Sequence, residues 1–154
     1  MSRIEHWEAV RQQIDAWLED LYRRAMEVVE RHWALVRDAE RNLPWEQRSC
    51  LQLRCAKRGN AILLEWTQIK WIGSKAKGNR RMVRIGIRKT EEYGYSLKNL
   101  LALSKDWERP LVEETETRLT ELRREARHIN KALRLLKIAS GTTGVRNDGK
   151  DEEE

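Results

Sequence analysis

The 154-residue chain has no phenylalanine, two prolines, two cysteines and three histidines. Each scarcity excludes something. Cys50 and Cys55, with no second pair and no neighbouring histidine, make neither a disulfide framework nor a zinc site. His6, His32 and His128 lie far apart in sequence, with no cysteine, serine or carboxylate motif to complete a catalytic triad or a metal site. No glycine-rich phosphate loop follows a strand, because residues 73–78 lack that spacing and lead into a strand, not a helix. No apolar run approaches the ~20 residues that a membrane span needs. The start, Met1-Ser2-Arg3-Ile4-Glu5, leads into a charged helix and not a signal peptide. The expectation is a cytoplasmic binding protein that is not an enzyme, with no cofactor, no metal and no membrane partner.

Acidic residues are also scarce, but only in the middle of the chain. The formal net charge is +6, yet residues 48–89 carry twelve lysines and arginines against Glu65 alone. Residues 1–47 are net −3, residues 90–139 are nearly balanced, and the tail from residue 140 is net −3. Concentration of one sign in 42 consecutive residues is the electrostatic footprint of a polyanion contact.

Apolar spacing organises the rest. Residues 3–41 have no proline or glycine, and Ile4, Trp7, Ile14, Leu18, Leu21, Ala25, Val28, Leu35 and Ala39 recur at three- and four-residue steps. Val29 and Val36 flank this seam later in the helix, as a 3.6-residue turn drifting against a seven-residue frame requires. Leu43-Pro44 ends the helix. Period-two alternation then marks strands at Leu51, Leu53 and Cys55, at Ile62, Leu64 and Trp66, and at Val83, Ile85 and Ile87. Gly59-Asn60 is a two-residue hairpin signal that sets Leu53 opposite Trp66, Cys55 opposite Leu64 and Arg54 opposite Glu65. Ser96 caps a short helix through Leu103, and a second long helix runs from about Trp107–Pro110 to a stop at Ser140-Gly141. Its many glutamates read as a solvated face.

The resulting fold class is α+β: a long N-terminal helix, a three-stranded antiparallel β-meander, a short helix, a long C-terminal helix and a disordered acidic tail. The expected units are residues 1–47 as a coiled-coil-like helix, 48–139 as the basic meander with its helices, and 140–154 as the tail. The wide stripe of the first helix assigns Ile14, Trp17, Leu18, Leu21, Val28 and Leu35 to self-association, with a dimer as the simplest homo-oligomer.

The nucleic-acid contact falls on the meander. Its outward face carries Gln52, Arg54, Thr67, Arg84 and Arg88, and its loops add Lys57, Arg58, Lys75, Lys77, Arg80 and Arg81. Arginine pairs bidentately with guanine or phosphate, and lysine-rich loops grip flanking phosphates, so double-stranded DNA is the expected partner. Two other readings compete: a recombination or regulatory factor using the same sheet, and a coiled-coil adaptor whose basic face docks an acidic protein without DNA.

Gly59 to Trp66 (GNAILLEW), the basic loop to Arg81, Tyr93-Gly94-Tyr95-Ser96, Trp107-Glu108 and Leu111 to Glu116 (LVEETE) together resemble the MobI-type auxiliary mobilization proteins of integrative conjugative elements and conjugative plasmids. The similarity spans roughly residues 50–138. The resemblance implies a role at the origin of transfer, binding its DNA and helping a relaxase act there. This sequence has no clustered histidine site with a nucleophilic tyrosine of the relaxase kind, which fits an accessory and not the nicking enzyme.

Overall fold

The computed structural model describes residues 1–142. The acidic tail expected from residue 140 therefore lies, from residue 143 onward, outside the described residues. Helix α1 spans Arg3–Glu40. Ser2 caps it, its hydroxyl accepting from the Glu5 amide at 3.1 Å. A tight turn over Trp45–Gln47 follows Pro44. Strands β1 (Leu51–Arg58), β2 (Ala61–Ile72) and β3 (Arg81–Gly86) form an antiparallel sheet in sequential order. Helix α2 (Leu97–Leu103) starts at Ser96, whose hydroxyl accepts from the Asn99 amide at 3.3 Å. Helix α3 runs over Arg109–Ser140 and is closed by Gly141 at φ 79°, where glycine is the residue without steric cost.

The hairpin register matches the alternation. Gly59 adopts φ 58°, and Leu53 faces Trp66, Cys55 faces Leu64 and Arg54 faces Glu65. In the second pair Gln68 faces Ile85 and Lys70 faces Val83, which puts Val83 and Ile85 on the same side of the sheet as Leu64 and Trp66. That side is only partly covered. Leu51, Leu53, Leu64 and Trp66 are buried, whereas Ile85 in β3 remains 39% exposed. The helices roof the first two strands and leave β3 projecting.

Helices α1 and α3 lie antiparallel, joined by Arg24–Glu125 near the middle of both and by Arg31–Glu114 nearer the C-terminal end of α1 and the start of α3. Their shared core contains Ile14, Leu18, Leu21, Ala25 and Val29 from α1 and Leu119, Leu122, Ala126, Ile129 and Leu133 from α3. The buried row therefore passes through Val29, not Val28, and Leu35 is exposed. An unsupercoiled helix of 3.6 residues per turn produces this one-residue drift.

The core also contains a carboxylate. Glu116 is 3% exposed and accepts from the Trp66 indole N–H at 3.0 Å, the Tyr95 amide at 2.9 Å and Arg123 at 3.0 Å. Arg123 in turn donates to the Leu64 carbonyl at 2.8 Å. The Tyr95 hydroxyl accepts from the Trp66 amide at 3.1 Å. This network ties sheet, connecting loop and α3 together, and it corrects the reading of the α3 glutamates as a uniformly solvated face. Among the described residues no helix is long and apolar enough to cross a membrane.

Candidate nucleic-acid interface

Strand pleating puts Gln52, Arg54, Glu65, Thr67, Ile69, Trp71, Met82, Arg84 and Gly86 on the sheet side opposite Trp66. The C-terminal half of α1 runs past the β1 edge, where the Trp33 indole N–H donates to the Leu53 carbonyl at 2.9 Å. The two surfaces enclose an open groove of about 690 Å³, with Trp33, Val36 and Arg37 on the helix wall and Gln52, Arg54, Thr67 and Arg84 on the sheet floor. Arg84 Nε donates to Gln52 Oε1 at 2.8 Å across β2, which orders both side chains beside exposed Arg54.

The remaining cations fall into groups. Arg58 ends β1 at the hairpin turn, and Arg88 follows β3; both are exposed. Lys75 and Lys77 sit on the loop between β2 and β3. This loop carries its own bonds: Ser74 N donates to Asn79 Oδ1 at 2.8 Å and Lys77 N to the Ser74 carbonyl at 3.2 Å. Arg81 lies opposite Ile72 and so belongs to the Trp66 side of the sheet. Lys57 lies on that side too, ion-paired with Glu19 of α1 and 5.9 Å from the Tyr22 ring. Lys57 is thereby set apart from Arg54 and Arg84, because residues one apart in a strand point to opposite faces.

Arg80 makes the least expected contacts. Its guanidinium lies 4.7 Å from the Trp45 ring centroid and 4.8 Å from that of Trp71, and the two indoles are 5.0 Å apart. No sequence pattern announces this cluster, since its members come from the turn after α1, the end of β2 and the loop before β3.

Ion pairs are denser on the helices than in the basic block, although Arg3 and Arg37 of α1 and Arg124, Arg127, Lys131, Arg134 and Lys137 of α3 also have no carboxylate partner among the described residues. Arg11, Arg23, Arg24, Arg31, Arg41, Arg109, Arg118 and Arg123 all pair with carboxylates. Of the twelve cations at residues 48–89, only Lys57 has such a partner among the described residues. On α3, Arg123 turns inward and donates to Glu116 and the Leu64 carbonyl.

The expected self-association residues divide as well. Ile14, Leu18 and Leu21 are buried against α3, and Val28 packs beside the core. Trp17, at 53% exposed, and Leu35 still face outward. The apolar surface left open on the helical pair lies near its free end, where Val10, Ile14 and Trp17 of α1 and Ile129, Ala132 and Leu136 of α3 line a shallow groove.

Residues 21–137 match a family model described as MobI protein. Neither a curated protein nor a solved structure matches the chain. Several of the residues carrying the resemblance are placed in the interior: Trp66, Tyr95 and Glu116 meet in the buried network, and Glu108 is buried at the start of α3. Those positions hold the sheet, the connecting loop and α3 together.

Proposed function

Since the chain belongs to the MobI family, and thus to the machinery of DNA mobilization, we propose that it is a DNA-binding accessory factor in conjugative transfer. It holds double-stranded DNA of the transfer origin on the outward face of its sheet and assists a relaxase there. One observation carries this reading: the cations of the basic block, Lys57 apart, have no internal carboxylate partner among the described residues, while many helix arginines do. Unpaired cations gathered on the sheet and its loops favour a polyanion, because neutralising phosphates releases condensed counterions. Lys75, Lys77, Arg81 and Arg88 grip phosphates, whereas Arg84, held by Gln52, and Arg54 beside it on the groove floor face the base edges. The open apolar end of the helical pair supports self-association, which would present two such faces to one site.

Fluorescence anisotropy with a transfer-origin duplex and a scrambled duplex, repeated at several salt concentrations, tests the proposal. With roughly 5–7 phosphates neutralised, the log–log slope is about −5 to −6. A flat salt response, or no binding to either duplex, contradicts it.

A further inference from the structure

The sheet face does not end as a uniform cationic surface. Past Arg84 and Ile69, roughly 13 Å along β2 from Thr67 at a strand's ordinary rise, it reaches Trp71, which is 47% exposed. Trp45 stands beside it at 48% exposed. These two indoles differ from most of the other tryptophans. Trp17, Trp33, Trp66 and Trp107 each donate the indole N–H to a carboxylate or carbonyl, whereas Trp45 and Trp71 have no such bond among the described residues. Large exposed aromatics with unpaired polar edges are costly decoration on a soluble surface unless something planar covers them.

What covers them in the free protein is Arg80, whose flat guanidinium lies over both rings. Arginine stacks on aromatic faces much as a nucleobase does, and it is also a phosphate ligand. Beside the pair is a hollow of about 350 Å³ bordered by Ile69, Arg48 and Lys105. Glu40 and Glu46 also reach this hollow, and Glu40 is occupied by the Ser49 amide at 2.7 Å. With two glutamates against Arg48 and Lys105 the hollow itself is close to charge balance, so the unpaired cations that a nucleotide backbone meets are those of the neighbouring loop, Lys75 and Lys77, and Arg81 at the start of β3.

We propose that Trp45 and Trp71 form a stacking site for an unpaired DNA base, with Arg80 occupying the position until DNA arrives. On binding, the base takes the indole faces and the released guanidinium pairs with the adjoining phosphate. Single-stranded DNA next to a duplex is the ligand, with the duplex on the Arg54–Arg84 floor and the unpaired strand at the tryptophans. A paired base cannot use this site, because its faces are already stacked within the duplex. The inference rests on the DNA-binding reading above and narrows it to a duplex with a melted or nicked neighbour.

The test uses the intact chain and three labelled probes of one sequence: a blunt duplex, a single strand, and a duplex with a single-stranded fork. The wild-type protein binds the fork about tenfold or more tightly than the blunt duplex, the range that one or two stacked bases give. Trp45→Ala and Trp71→Ala abolish that advantage and leave blunt-duplex affinity within about twofold, whereas Trp71→Phe retains most of it. Equal binding of fork and blunt duplex by the wild-type protein overturns the inference while leaving the duplex-binding reading intact. Loss of both probes alike in a Trp→Ala variant whose circular dichroism is unchanged also overturns it, since the indoles would then belong to the duplex contact. Absence of blunt-duplex binding in the wild-type protein contradicts the broader reading instead, and a fork signal surviving it would leave the stacking site standing.

Discussion

His32 lies edge-on to Trp66 with ring centroids 5.1 Å apart, and its Nδ1 is 2.8 Å from Thr115 Oγ1. Burial lowers its pKa from 6.5 to about 4, so the imidazole is neutral in the folded protein through the physiological range. The unfolded chain therefore takes up the proton first as pH falls, and stability present above pH 6.5 is lost progressively down to about 4. Urea denaturation should show a loss of about 1–2 kcal/mol on going from about pH 7 to about pH 5, a loss that His32→Gln removes. An unchanged pH dependence in the variant contradicts this assignment. Glu108 acts with the opposite sign. It is 1% exposed, neither carboxylate oxygen has a partner in good hydrogen-bonding geometry among the described residues, and burial, only partly offset by the nearby Ser49 hydroxyl and Lys105 backbone, raises its pKa above the ordinary carboxylate value. Its cost is present near neutral pH and is relieved as pH falls through the raised pKa. Glu108→Gln should raise the melting temperature near neutral pH, and that gain should fade on acidification. No gain near neutral pH would show that the charge is compensated. At this scale the sequence was half legible. Glu116 sits in phase with Val112, Leu119 and Arg123, a periodicity that placed it inside, but the charge alone suggested solvent.

Elements were more legible than their contacts. A two-residue turn leaves little choice of register, and the alternation of Leu53, Cys55, Leu64 and Trp66 admits one inward face, so β1 and β2 follow from local rules. How far the helices roof the sheet does not follow, because it depends on where α1 crosses the β1 edge. The exposure of Ile85 is the consequence. The loop entering β3 depends on Gly73, which adopts φ 84° and whose added Cβ would meet the Asn79 carbonyl oxygen at 2.3 Å. Gly73→Ala should cost about 1–3 kcal/mol. Hydrogen exchange should quicken at β3 amides before those of β1, since the loop anchors the projecting strand. Unchanged exchange in β3 would show that the strand pairing alone holds it. The same loop separates the roles of the cations. Replacing Lys75, Lys77 and Arg81 with alanine should weaken origin and scrambled duplexes alike, whereas Arg54→Ala or Arg84→Ala should narrow the difference between them. Loss of discrimination from the loop changes alone would place the readout on the loop.

Over the whole molecule, ion pairs concentrate on the helical pair, and the cations of the basic block lie on the sheet and its loops. The helical pair ties many of its cations into ion pairs and exposes Trp17 and Leu136 near its free end, while the sheet end exposes Trp45 and Trp71 beside cations that, Lys57 apart, have no carboxylate partner among the described residues. The charge block was plain in the sequence because it is contiguous. The self-association surface was not, since the seam of one amphipathic helix does not reveal whether a helix of the same chain or of another covers it, and α3 covers Ile14, Leu18 and Leu21. Analytical ultracentrifugation should therefore find an oligomer that Trp17→Glu with Leu136→Glu dissociates, without loss of helical content. A monomer at all concentrations contradicts that part of the proposal. The central claim, that DNA lies on the unpaired cations of the sheet, is tested most directly by the salt slope of duplex binding. Replacing Lys75, Lys77 and Arg81 with alanine should make the log–log slope shallower by about 3, whereas replacing the ion-paired helix residues Arg23 and Arg118 should leave it unchanged. Equal slopes in the wild-type protein and the loop variant, or a shallower slope from the helix variant alone, would contradict the claim.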